Sequence, residues 1–416
     1  MYDKIVLDNG LCIIGERIEH FRSVSCGVWI GAGSQYETPA ENGLSHFLEH
    51  MLFKGTTTRS ARDIAEQTDA VGAQLNAFTS KECTCYYIKV IDEHIELALD
   101  ILSDMVLNST LSDEELNKEK GVIIEEIGMN EDSPEDVVFE MLAKALFGDH
   151  PLGMTILGPS DNIRNFKRQD LYDYRARMYR PGNTVLALAG NYDWERVVEL
   201  AKRMFGSWQS GDTGREMPHC DLKYGVERRE KDIEQVQICL GLKGVPAGSK
   251  DVFALSIFNN LFGGAMSSRL FQRIREEQGL VYSVYSYPTS YRDCGALAIY
   301  AGTGPDNAQR VLESLRSEID IALKDGVSER EFSQAREQLK GSYILGLESA
   351  SSRMSALGRR MLLMGDTMNE DAVISRINSV TLDDVNRVMQ QSLNGEYAAA
   401  LIGKGVEKLD LGMFGC

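Results

Sequence analysis

A pattern in the first half of the chain returns, degraded, in the second, and this most limits the folds open to it. "LSHFLEH" at 44–50 lines up with "LSIFNNL" at 255–261. "RDIAEQTDAVG" at 62–72 lines up with "RLFQRIREEQG" at 269–279, and "LSDEEL" at 111–116 resembles "VSEREF" at 327–332. A supersecondary pattern that recurs in this way predicts one fold built twice. At 416 residues the chain also exceeds one ordinary domain. Between the copies runs "WQSGDTGREMPHCDLKYGVERRE", polar and without periodicity. We read a linker at 211–230, dividing a first domain, 1–210, from a second, 231–416. Strand-like and helix-like runs alternate along the chain. "KIVLDNGLCIIGE" carries an Asn9-Gly10 hairpin signal, and "VSCGVWIGAGS", "CTCYYIKVI" and "NTVLALAGN" also read as strands. Helices are expected over 44–53, 60–71, 92–107, 112–130, 134–146 and 194–205, with Ser112 and Glu115 as a capping box.

The net charge of -18 argues against nucleic acid, which needs a basic footprint, and against an anionic membrane surface. It suits cationic partners, basic peptides included. No run of 18 apolar residues predicts a membrane span, and "MYDKIVLDNGLCII" lacks the plan of a secretory signal. The eight cysteines are scattered, with only Cys83 and Cys85 close together. A reduced, cytoplasmic protein is the simplest expectation.

The stretch "HFLEHMLFKG" at 46–55 carries the chemistry. On a helix, Leu44, Phe47, Leu48, Met51 and Leu52 form a core stripe. His46 and His50 stand one turn apart and project the same way, so both imidazoles can grip one cation, with Glu49 beside them. This is HxxEH, the inverse of the HExxH zinc helix. In the aligned second copy Ile257, Asn260 and Leu261 replace these three residues, so that half lacks the chemistry. A catalytic zinc site needs a third protein ligand. The helix 112–130 offers Glu119, Glu125 and Glu126, and its own periodicity does not choose among them.

HxxEH followed by "KEKGVIIEE" resembles the pitrilysin/insulinase metallopeptidases, in particular the branch of the mitochondrial processing peptidase and bacterial processing proteases. "LNAFTSKE", "HPLGMTILG", "YRPGNTVLALAGN" and "SSRLFQRIREEQGLVYSVYS" extend the resemblance along the chain. It implies two homologous α+β domains, each an antiparallel sheet backed by helices. It implies one zinc per chain on His46, His50 and Glu126, with Glu49 as general base and Glu119 as a supporting carboxylate. Arg275 and Tyr282 correspond to a carbonyl-binding pair. The strand "GAQLNAFTS" corresponds to an edge that accepts peptide, putting Asn76, Ala77 and Phe78 beside the scissile bond. Asp136 and Glu140, one turn apart, resemble carboxylates that hold a substrate arginine. The implied function is a zinc-dependent endopeptidase acting on short or unfolded peptides inside a homodimeric chamber, with Arg275 and Tyr282 completing the partner copy's site. The competing expectation is a non-catalytic scaffold or regulatory subunit, a kind of relative that usually lacks part of the HxxEH set.

Overall fold

A computed structural model describes residues 2–211 and 219–415. The chain divides into two compact units, and neither is continuous in sequence. The first comprises Met1–Gly128, Met154–Met217 and Leu345–Asn369; the second comprises Met129–Gly153, Pro218–Ile344 and Glu370–Cys416.

The first unit holds β1 (Asp3–Val6), β2 (Cys12–Arg17), β3 (Ser23–Ile30), β4 (Gln74–Thr79), β5 (Thr84–Ile91) and β6 (Thr184–Gly190) in the order β1-β2-β6-β3-β5-β4. The second holds β7 (Val226–Glu230), β8 (Val236–Lys243), β9 (Ser283–Ser290), β10 (Gly295–Thr303) and β11 (Ala398–Gly403) in the order β7-β11-β8-β10-β9. With β1 set aside, the sheets match strand for strand. Each is antiparallel apart from one parallel pair, β2 with β6 and β7 with β11. The repeat in the sequence is therefore a repeat of topology.

β3 shows why its sequence is apolar nearly throughout. Val24, Cys26, Val28 and Ile30 enter the main core of the first unit, while Trp29 faces a second apolar cluster under the helix Ala350–Met364. Both faces are covered, so neither is polar. The covering helix comes from late in the chain. The helix Pro134–Phe147, from the first half of the sequence, packs on β8 and β11 of the second unit. The two repeats have thus exchanged equivalent helices.

Close approach of Ala350–Met364 to its sheet depends on a missing side chain. Trp29 Nε1 donates to Met354 Sδ at 3.2 Å, and a Cβ on Gly358 would lie 2.3 Å from the same indole nitrogen. Gly358→Leu is expected to lift the helix or displace Trp29 and to cost about 1–3 kcal/mol or more in a denaturant titration. Gly341→Ala, in a helix where the added Cβ meets nothing within 4 Å, should be neutral or slightly stabilising in the same assay.

Two expectations change. Of the stretch read as linker, residues 226–230 form β7, and Lys223 N and Gly225 N donate to Leu146 O and Ala145 O at 2.8 Å each. β7 pairs on one side only and keeps no fully buried face, so its sequence lacks the apolar alternation that marks a strand. Residues 212–218 of that stretch lie outside the described residues. At the start of the helix Asp113–Glu131, Ser112 Oγ accepts from Glu115 N at 3.3 Å, but the Glu115 carboxylate pairs with Lys118 at 2.8 Å.

Candidate metal centre

The helix Leu44–Leu52 is fixed before its chemistry begins. Leu44, Phe47, Leu48, Met51 and Leu52 are all buried in the main core. Its N-cap is Gly43 at φ 105, a left-handed position where a Cβ would also come within 2.8 Å of Leu157 O. Gly43 has no side chain with which to cap the helix, and Glu37 does so instead. One Glu37 oxygen accepts from Ser45 N at 2.6 Å, the other from Gly43 N at 2.9 Å and Asn42 Nδ2 at 3.0 Å. Burial pushes the Glu37 carboxyl up, and these donors offset part of that cost. Glu37 is an acid placed ahead of a helix that lacks a Ser, Thr or Asp cap; that was its only signal in the sequence.

His46 and His50 project from this helix with ring centroids 4.5 Å apart. Glu126, from the helix Asp113–Glu131, meets both: its Oε2 lies 3.6 Å from His46 Nε2 and 3.5 Å from His50 Nε2. Two ligand atoms on a tetrahedral zinc, at roughly 2.0–2.1 Å from it, stand about 3.3–3.4 Å apart. The three side chains therefore offer a ligand set for one metal ion, and theirs is the one such group of three or more found among the described residues. Glu125 is exposed and outside it.

The donor set also fits a metal chemically. Burial, then the neighbouring His50, pull His46 down to about 3, so its imidazole is neutral. Its Nδ1 is buried without a hydrogen-bond partner among the described residues. His50 is held differently. Its Nδ1 lies 2.9 Å from Glu119 Oε1, and Glu119 Oε2 pairs with Lys54 at 2.7 Å. Burial would raise the Glu119 carboxyl, but the bonds from His50 and Lys54 hold it below its ordinary value. An ionised carboxylate only accepts, so the proton sits on His50 Nδ1, and Nε2 keeps its lone pair toward the cluster when the ring is neutral. Burial lowers His50, yet Glu119, Glu126 and Glu49 together leave it raised. A metal binds the neutral ring, so a second proton on His50 competes with it. Glu119→Gln is expected to weaken zinc affinity about ten- to a hundredfold while the fold stays intact, read by competition with a chromophoric chelator.

Glu49 lies outside that group of three and is half-buried. Its Oε2 accepts from Thr79 Oγ1 at 2.5 Å, on β4. Burial raises its carboxyl; Thr79 and His50 counter this, and Glu126 adds to it. Thr79 and Lys54 were not singled out in the sequence, although Thr79 lies in "LNAFTSKE" and Lys54 in "HFLEHMLFKG". β4 is the last strand of its sheet, with Asn76 and Phe78 exposed and Ala77 half-buried. Thr79 thus ties Glu49 to an open sheet edge.

The remaining candidates belong to the second unit. The Arg275 guanidinium lies over the rings of Phe271 and Tyr282, at 4.6 Å and 5.9 Å, and Tyr282 is 78% exposed. Asp136 and Glu140 sit one turn apart on the helix Pro134–Phe147, Asp136 exposed and Glu140 half-buried. None of the four enters the His46, His50 and Glu126 cluster.

Known proteins match nearly all of this chain. An uncharacterized zinc protease of Bacillus subtilis, YmxG, is 45% identical over 406 residues, covering 97% of this chain and 98% of its own. The chain belongs to the M16, or insulinase, peptidase family. The family description "Insulinase (Peptidase family M16)" matches residues 13–160, which include all three ligand candidates, and "Peptidase M16 inactive domain" matches residues 165–339. Another M16 relative, an uncharacterized zinc protease of Mycobacterium leprae, is 39% identical over 413 residues, covering 98% of this chain and 93% of its own. The fold recurs in the crystal structure of a protease from Helicobacter pylori, with TM-score 0.90, 22% identity and coverage of 97% of this chain and 99% of that one. Among the described residues, no helix is long and apolar enough to cross a membrane.

Proposed function

We propose that this chain is a zinc metalloendopeptidase that hydrolyses short or unfolded peptides. The observation that carries this is the convergence of His46, His50 and Glu126 beside a half-buried carboxylate, Glu49, that is tethered to a sheet edge. One zinc per chain would be held by His46, His50 and Glu126. When bound, it would polarise the scissile carbonyl and acidify a water. Every other step belongs to the protein. Peptide lies along β4, beside Asn76, Ala77 and Phe78, through backbone hydrogen bonds that ask little of its sequence. Glu49 takes the proton of the attacking water and passes it to the leaving amine. Glu119 and Lys54 keep His50 in the tautomer that faces the metal.

Asp136 and Glu140 give a preference for arginine near the cleavage site. A desolvated arginine–carboxylate contact contributes about 1.5–3 kcal/mol, or about ten- to a hundredfold in kcat/KM. The Arg-to-Ala substrate ratio should collapse in Asp136→Asn/Glu140→Gln; an unchanged ratio removes both residues from the pocket.

Arg275 and Tyr282 serve the oxyanion of a second copy's site in a two-fold dimer, whose closed chamber excludes folded proteins. Mixing Glu49→Gln chains with Arg275→Ala/Tyr282→Phe chains should restore about a quarter of wild-type activity, because each mixed dimer then holds one intact site. Activity that stays at the mutant baseline after confirmed subunit exchange contradicts action in trans. The peptidase reading itself is tested by mass spectrometry of a peptide library incubated with the purified protein. Cleavage that a chelator abolishes supports it; cleavage that a chelator leaves unchanged refutes it.

A further inference from the structure

Two thiols meet in the second unit, among residues with no part in the metal centre. Cys294 lies in the turn between β9 and β10, where Tyr291 N donates to its carbonyl at 2.8 Å. Cys220 lies in the segment that leads into β7. Their sulfurs are 2.9 Å apart, and each residue is 7% exposed. Both are thiols, not a disulfide. Two sulfurs at that distance are already inside ordinary contact and need approach by only about 0.9 Å more to reach bonding distance. The pair sits in the apolar cluster beneath the helix Pro134–Phe147, where Phe147 packs edge-on against Tyr291 at 5.8 Å.

We propose that Cys220 and Cys294 are a modification site that closes to a reversible disulfide with a small oxidant, hydrogen peroxide being the simplest. Cys220 is the attacking sulfur: Cys294 donates its S–H to it and holds its thiol below the ordinary value. Burial instead drives Cys26 up to about 12 and Cys85 and Cys239 well above the thiol range. In the first step the Cys220 sulfur attacks one peroxide oxygen, the O–O bond breaks, and the departing oxygen leaves as water with the thiol proton. In the second, the Cys294 sulfur attacks the resulting sulfenic acid, expelling its oxygen as water with the Cys294 proton. Two thiols and one peroxide thus give one disulfide and two waters. The bond joins the segment entering β7 to the β9–β10 turn and leaves His46, His50 and Glu126 untouched.

The test treats the full-length protein with a few equivalents of hydrogen peroxide, blocks remaining thiols, and maps peptides without reductant. The expected result is a loss of about 2 Da before blocking and one cross-linked peptide pair containing Cys220 and Cys294. A thiol reductant should reverse it, and zinc content should stay unchanged. In Cys294→Ser the cross-link should vanish and about 16 Da of added oxygen should collect on Cys220. If that variant does not fold, the wild-type peptide map decides alone. Oxygen addition without a cross-link, or a cross-link through any other cysteine, would overturn the proposal.

Discussion

Glu49→Gln is expected to keep its zinc and lose its turnover, with kcat/KM falling about a thousandfold or more. The side chain that changes is not one of the three that surround the metal position, so metal content should match wild type. What is lost is a carboxylate able to take a proton from water. The amide is nearly isosteric, and Thr79 Oγ1 can still donate to its oxygen, so the local packing should persist. Metal analysis and steady-state kinetics on one preparation read both quantities. Thr79→Val separates placement from chemistry: it removes the bond that orients Glu49 while leaving the carboxylate, so the loss should be smaller, about tenfold. A Glu49→Gln protein that lost its metal would instead make Glu49 a ligand.

His46→Ala should show the other large effect. His46 is 7% exposed and neutral, with its Nε2 3.6 Å from Glu126. Removing it leaves one imidazole and one partly exposed carboxylate, too few to hold zinc in a tetrahedral site with one open position. Zinc should then no longer raise the melting temperature, because stabilisation by a ligand follows its affinity for the folded state. A melting shift equal to that of wild type would exclude His46 as a ligand.

Much of the fold was legible because the repeat is carried by core patterns that survive divergence. Helix Leu44–Leu52 starts at the residue where its apolar stripe starts, and the Asn9-Gly10 turn joins β1 to β2. The exchange of Pro134–Phe147 and Ala350–Met364 between the two repeats was hidden. Periodicity says that a helix has an apolar face but not which sheet receives it. β7 was hidden because a strand paired on one side, with no buried face, needs no apolar alternation. At the metal centre, the histidine pair and Glu49 could be read from one turn of helix. The spacing left Glu119, Glu125 and Glu126 open, and only the packing of two helices separates their positions: Glu126 at both Nε2 atoms, Glu119 at the far nitrogen of His50, and Glu125 in solvent. Glu37 and Thr79 escaped because each acts across space, on a helix terminus and on a carboxylate, with no spacing rule to announce it.

The central claim is that one metal ion on His46, His50 and Glu126 makes this protein a peptidase. Stripping the purified protein with a chelator and titrating zinc back, with bound metal and peptide cleavage measured at each point, tests it most directly. Cleavage should be absent at the start, rise in proportion to bound zinc and break at one equivalent per chain; Glu126→Gln should show neither tight binding nor recovery. Cleavage that persists without metal, or Glu126→Gln that binds one zinc as tightly as wild type, would contradict the account.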